Sequence, residues 1–249
     1  MSQTIIITGM VLSASPVGEF DKRVVLLTKE QGKISAFAKG ARRPNSPLIG
    51  MINPFSFGEF TLYQGRTAYT VVQVSISNYF NELRENIEGA YYGFYFMDFA
   101  SYYTSEHNDE KMMLKLLYQT MRVLVKRSIT YPLVRYIFEL KAVCINGEGP
   151  QVFQCVTCGD ESREKLFSPL KGGLICGECN GGVIDGIRID TSTLYTLQYV
   201  VSSSIEKLYT FTVSDEVLKN FKYIMERYMD IYVDKRFKSL EILEMILKT

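Results

Sequence analysis

Two Cys-x2-Cys pairs constrain this chain more than any other feature. Cys155-Val156-Thr157-Cys158 and Cys176-Gly177-Glu178-Cys179 stand seventeen residues apart, the spacing of a four-thiolate zinc site. Two residues between thiols let one tight turn aim both sulfurs at a single ion, and Gly159 and Gly177 stand where such knuckles bend. In between, Leu166-Phe167 and Leu174-Ile175 flank Pro169-Leu170-Lys171-Gly172-Gly173. That pattern predicts a short hairpin that returns the second pair to the first. Four thiolates close a tetrahedron and leave no open position, so the expected metal is one structural zinc rather than a hydrolytic one. Two disulfides, or four free thiols, are the alternatives. Nothing else in the chain points to an oxidising compartment, which favours zinc and a cytoplasmic address. The fifth cysteine, Cys144, falls in an apolar helical run and is expected to be a buried thiol.

At 249 residues the chain exceeds the usual single domain and predicts two or three modules. Five β-rich runs come first, at residues 4–12, 22–28, 33–39, 55–63 and 67–76. Between them lie turn residues (Pro16 and Gly18, Gln31 and Gly32, Gln64 and Gly65) and a Pro- and Asn-containing loop at 41–54. Five strands in about eighty residues with no helical period predict a small closed barrel. Phe55 and Phe57 keep one phase, whereas Phe60 and Leu62 keep the other across Gly58, as a β-bulge at a barrel corner requires. On the third run Ile34, Ala36 and Ala38 point one way and Lys33, Ser35, Phe37 and Lys39 the other. A buried face would not tolerate two lysines.

Helical periodicity begins near residue 82. Tyr92, Phe96, Phe99 and Tyr103 make an aromatic stripe that reads as core rather than as a base-stacking platform. Asn108 or Asp109 is expected to cap the next helix, Pro132 to open a third that stops at Gly147, and Thr191 and Ser214 to open two more. A last helix carries Phe237, Leu240, Leu243 and Leu247. The predicted division is therefore a barrel at 1–80, helices at 81–149, a zinc module at 150–185 and helices again at 186–249. No run is apolar and long enough to span a bilayer, and no signal peptide is expected.

Catalytic signatures are absent. The single histidine, His107, sits at a helix boundary beside Glu106 and Asn108 and reads as an inert surface residue. No phosphate-binding loop, no nucleophile motif and no deaminase His-Glu pair is present. The chain reads as a binding protein and not as an enzyme. Its formal net charge is only +1, yet residues 1–80 hold eight Lys and Arg against four Asp and Glu. That asymmetry directs the N-terminal part toward a polyanion.

A basic five-stranded barrel, then helices, with a four-cysteine hairpin inserted before the last ones is an unusual order. The chain resembles the bacterial RecO family of recombination mediator proteins. The residues that carry the likeness are Val24-Val25-Leu26-Leu27-Thr28, Gln31-Gly32-Lys33, Ala38-Lys39-Gly40-Ala41-Arg42-Arg43-Pro44-Asn45-Ser46, Asn53-Pro54-Phe55 and the two cysteine pairs. Lys-Gly-Ala-Arg-Arg is the most specific segment, and the likeness spans essentially the whole chain. The resemblance implies an α+β multidomain protein: an N-terminal five-stranded OB fold, an α-helical body and a zinc-binding module. It also implies binding to single- and double-stranded DNA, strand annealing, and loading of recombinase onto strands coated by single-strand-binding protein. The implied partners are RecR and the acidic C-terminal tail of the single-strand-binding protein, and the implied location is the cytoplasm at the nucleoid. The segment Val17-Gly18-Glu19-Phe20-Asp21 keeps only part of the family pattern before the second strand, so no role is assigned there.

OB barrels grip single strands with a basic groove along the phosphates and aromatics against the bases. Lys33 and Lys39 flank Phe37, Arg42 and Arg43 open the following loop, and Lys22, Arg23 and Arg66 extend the track. These eight residues are the expected DNA contacts, and they would read backbone rather than base edges. Arg122, Lys126, Arg127 and Arg135 are candidates for the tail. The competing readings are a zinc-containing docking adaptor with the barrel as scaffold, and a metal-dependent nuclease for which the sequence offers no ligands.

Overall fold

Alternation of side chains along the first eighty residues builds the barrel. In the computed structural model, which describes residues 3–161 and 165–248, five strands form it: β1 (Gln3–Val17), β2 (Asp21–Thr28), β3 (Gly32–Ala38), β4 (Phe57–Gln64) and β5 (Tyr69–Asn78). The strands close in the order β1-β2-β3-β5-β4, with β4 pairing back onto β1 and β3 meeting β5 in a short parallel contact. This is the five-stranded OB arrangement. Ile7, Val11, Val24, Leu26, Ile34, Ala36, Ala38, Phe60 and Leu62 fill the interior. The two alanines let the sheet curl tightly, and the alternation on β3 is the expected one. The phase change is also present, as a register shift between Phe57 and Gly58. A second shift, between Val11 and Ser13, re-phases β1 and lets it run to Val17, five residues past its expected end.

The helices are α1 (Asn81–Arg84), α2 (Ile87–Tyr103), α3 (Lys111–Lys126), α4 (Tyr131–Ile145), α5 (Thr191–Ser202), α6 (Asp215–Tyr232) and α7 (Lys238–Ile246). Three short strands, β6 (Lys165–Ser168), β7 (Gly173–Cys176) and β8 (Ile187–Arg188), form a separate sheet in the order β7-β6-β8. The chain forms two compact units, residues 1–126 with 237–249, and residues 127–236.

In the first unit the aromatic stripe is core. Tyr92, Tyr95, Phe96 and Phe99 are buried on α2. Phe237, at the start of α7, stacks on Phe99 at 5.3 Å and meets Tyr95 edge-on at 5.7 Å. Ring contacts of this kind add about 0.5–1.5 kcal/mol each beyond the area they bury. Phe57 of the barrel meets Tyr118 of α3 at 4.4 Å, which ties barrel and helices together.

In the second unit α4 is buried along residues 133–143 and carries three charges inside: Arg135, Glu139 and Lys141. A buried ion is tolerated only when paired. Arg135 Nε donates to Glu139 Oε1 at 2.7 Å, so Arg135 is not a free surface cation for an acidic tail. The Lys141 ammonium uses all three donors on the last carbonyls of α5, those of Val200, Val201 and Ser203, at 3.3, 2.9 and 2.7 Å. It closes that helix end where the dipole is negative. Burial also pulls the Lys141 pKa below the ordinary lysine value. Lys141→Met leaves these carbonyls without donors and is expected to destabilise the second unit by about 2–4 kcal/mol, read as a lowered midpoint in urea. At the other helix starts Thr191 opens α5 as expected, capped by Asp190, which accepts from Thr193 N, and Ser214 caps α6 as expected. Among the described residues no helix is long and apolar enough to cross a membrane.

Candidate functional site

The face formed by β2 and β3 carries a groove of about 440 Å³ lined by Arg23, Ser35, Phe37, Gln64, Arg66, Tyr69, Glu106 and His107, among others. Antiparallel register puts Arg23 directly opposite Phe37, on the outer side of the two strands. Arg23 Nη2 donates to Ser35 Oγ at 3.1 Å, which orients the guanidinium along the strand. Phe37 pairs onward with Thr70 of β5. Gln64 pairs with Tyr69 to close the β4–β5 turn, and Arg66 projects from that turn. Three of the eight expected contact residues, Arg23, Phe37 and Arg66, therefore meet on one surface. Burial, and behind it the charge of Glu106, raises the pKa of the Tyr69 hydroxyl.

The loop after β3 carries a second cationic group. Lys39, exposed, lies two residues beyond Phe37, about 7 Å along the chain. Arg42 Nη1 donates to the carbonyls of Gly18 and Glu19 in the β1–β2 turn, at 3.3 and 3.1 Å. The Arg43 guanidinium lies 5.3 Å from the centre of the Phe20 ring. Lys22, half-buried on β2, donates to Asn53 Oδ1 at 3.2 Å. The nearby Asp21 carboxylate accepts from the Gly40 amide instead of from a cation. Among the described residues, none of Lys22, Arg23, Lys39, Arg42, Arg43 and Arg66 is held in an ion pair with a carboxylate, although Glu106 lines the same groove as Arg23 and Arg66. Lys33 stands apart. Its ammonium donates to the Ser101 carbonyl in the last turn of α2, directing it to that helix and away from the groove.

The four cysteines converge in the second unit. Their Sγ atoms all lie within 4.8 Å of one another, and those of Cys158 and Cys176 are 3.6 Å apart. A tetrahedral ion with metal–sulfur bonds of about 2.3 Å would hold its sulfurs about 3.8 Å apart, so the donor set fits a metal ion. All four thiols are free of disulfides. Leu166 pairs with Ile175 and Phe167 with Leu174, the expected hairpin. The first knuckle turns at Gly159, with φ of 76°, and Val156 N donates to Leu174 O to dock it on β7. Phe167 packs on Tyr228 of α6. Burial raises the Cys155 pKa, but amide donors from Cys176, Cys158 and Thr157 outweigh it and lower this thiol to about 6. Its neighbours Cys158 and Cys176, with burial, push Cys179 up to about 12. Crowded sulfurs of this kind cannot all ionise without a cation among them. Cys144, away from the cluster, is held at about 11 by burial.

The sequence reading missed Glu106 and His107 as groove residues. They lie far along the chain, on the loop between α2 and α3, and no local pattern places that loop on the barrel.

The family model described as Recombination protein O N terminal matches residues 1–80, and that described as Recombination protein O C terminal matches residues 84–241. The DNA repair protein RecO of Alkaliphilus metalliredigens is 33% identical over 240 residues, covering 96% of this chain and 98% of its own. The RecO proteins of Acetivibrio thermocellus and Symbiobacterium thermophilum are 29% and 28% identical, each covering at least 95% of both chains. With both parts of the chain matched, it belongs to the RecO family of DNA-repair proteins, which are non-enzymatic mediators of recombination.

Proposed function

We propose that this chain binds single- and double-stranded DNA through the β2–β3 face of its barrel, anneals complementary strands, and helps load recombinase onto DNA coated by single-strand-binding protein. The observation that carries the reading is the meeting of Arg23, Phe37 and Arg66 in one groove, beside the Lys39, Arg42 and Arg43 loop. OB barrels use this face and the turns beside it to hold nucleic-acid strands. Guanidinium groups neutralise phosphates without selecting bases. A neutralised strand with its base edges free can meet its complement, which is what annealing requires.

RecR and the C-terminal tail of the single-strand-binding protein are the proposed partners. Exposed Arg122, with Lys126 further along α3, and Arg127 could meet the acidic tail. Residues 1–80 act as the DNA-binding domain, and residues 150–185 hold one structural zinc on Cys155, Cys158, Cys176 and Cys179, supported by the spacing of their sulfurs. The setting is the bacterial cytoplasm.

Fluorescence anisotropy with labelled oligonucleotides tests the DNA reading. Binding is expected to be indifferent to sequence and strongly dependent on salt. Capture of protein partners by a chain that binds no DNA at low salt would overturn it in favour of an adaptor. Phe37→Ala is expected to lose about 1–3 kcal/mol of single-strand affinity, one base stack, with the salt dependence unchanged.

A further inference from the structure

The chain contains one histidine, and its position in the groove follows from how the helical part is fastened to the barrel. The loop between α2 and α3 runs along the start of β3. Lys33 N donates to Ser105 O at 2.9 Å and His107 N to Gln31 O at 3.0 Å, while Gly32 bridges Glu106. Gly32 has φ of 67°, and a Cβ there would lie 2.2 Å from Ser105 O, so the fit tolerates no side chain. Ser105 N is held in turn by the carboxylate of Glu110, which is buried. His107 itself adopts φ of 64°, a conformation that histidine, asparagine and aspartate accept more readily than most residues. The loop is thus fixed, and it presents Glu106 and His107 as a wall of the groove. His107 Nε2 lies 3.7 Å from Glu106 Oε1, with both side chains exposed.

We propose that His107 makes DNA binding by this groove proton-linked: protonated, it offsets Glu106 and adds a cation for a phosphate, and neutral, it leaves Glu106 to repel one. The inference rests on the groove being the DNA site. The charged and titratable groups that line the groove with the imidazole are Glu106 on its own loop, 3.7 Å away, Arg23 on β2, Arg66 on the β4–β5 turn and Tyr69 on β5. Lys33 on β3 is directed to Ser101. Protonation takes the charge of this set from +1 to +2, with tyrosine neutral. Histidine is the side chain whose charge ordinarily changes between pH 5 and 8, and a group that binds a proton more tightly in the complex makes the complex tighter as pH falls.

The test is the affinity of the intact, zinc-loaded chain for an oligothymidylate between pH 6 and 8 at constant ionic strength. Wild type is expected to bind roughly fivefold more tightly at pH 6 than at pH 8. His107→Asn, which keeps the backbone conformation, is expected to give a flat profile at the level of wild type at pH 8. Glu106→Gln is expected to bind more tightly than wild type at pH 8. A wild-type profile that is flat, or one that His107→Asn leaves sloping, overturns the proton linkage while the DNA reading stands. Loss of all pH dependence in Arg23→Ala/Arg66→Ala, with weaker binding, supports both. Absence of binding at any pH in low salt overturns both.

Discussion

The Cys158→Ser variant is expected to lose its zinc and, with it, the order of the β6–β7 hairpin and the cysteine turns beside it, while the barrel stays folded. Cys158 is the right position because its thiol is exposed. Serine there removes almost no packing, so any loss of structure reports on the metal. The hairpin has two four-residue strands and a third of two residues, and sheets this small are marginal alone in water. Structural zinc sites supply on the order of 10 kcal/mol of apparent binding free energy, far more than the local apolar contacts. Metal analysis is expected to give one zinc per wild-type chain, and hydrogen exchange to show amides of β6 and β7 losing protection in the variant. The barrel lies in the other compact unit, so its strands are expected to exchange as in wild type. Four reactive thiols and no zinc in the freshly purified wild-type chain would refute the metal assignment.

Much of the fold was legible because its rules are local. Two-residue alternation fixed which side chains of β3 face inward, and the phase change at Gly58 marked a real register shift. Cysteine spacing alone predicted both the hairpin and the convergence of four sulfurs. The α2 aromatics were assigned to the core by their helical spacing, and Phe237 shows why that assignment holds: the stripe needs a partner, and the chain returns to supply it 134 residues after Tyr103.

What could not be read depends on contacts distant in sequence. Lys33 shares a strand face with Phe37, so periodicity gives both the same role. Only the packing of α2 shows that the Lys33 ammonium has a carbonyl acceptor at Ser101. Lys141 looks like an ordinary surface charge until α5, sixty residues on, presents its carbonyl end. Arg135 was a surface candidate for the same reason, and its burial with Glu139 follows from α4 being covered on nearly every side. The division at 126/127 and 236/237 reflects which helices share a core, something composition along the chain does not record.

Those same contacts rank the cations, and replacing four arginines tests the ranking. Arg23→Ala/Arg66→Ala/Arg42→Ala/Arg43→Ala is expected to lower single-strand affinity on the order of a thousandfold, at roughly 1 kcal/mol per arginine, the low side for charge-assisted bonds. It is also expected to flatten the dependence of log affinity on log salt by about 0.7 for each phosphate that is no longer neutralised. The two pairs are not equivalent. Among the described residues Arg23 bonds only to a hydroxyl, and Arg66 is exposed on its turn, so both can turn to phosphate. Arg42 must keep or exchange its bonds to the Gly18 and Glu19 carbonyls, and Arg43 its contact with Phe20. Arg23→Ala/Arg66→Ala is therefore expected to account for more than half of the fall in both affinity and slope. The reverse order would move the strand's path from the groove to the loop after β3. A quadruple variant with unchanged affinity and slope would remove all four arginines from DNA binding, because each phosphate they neutralised would have shown in the slope.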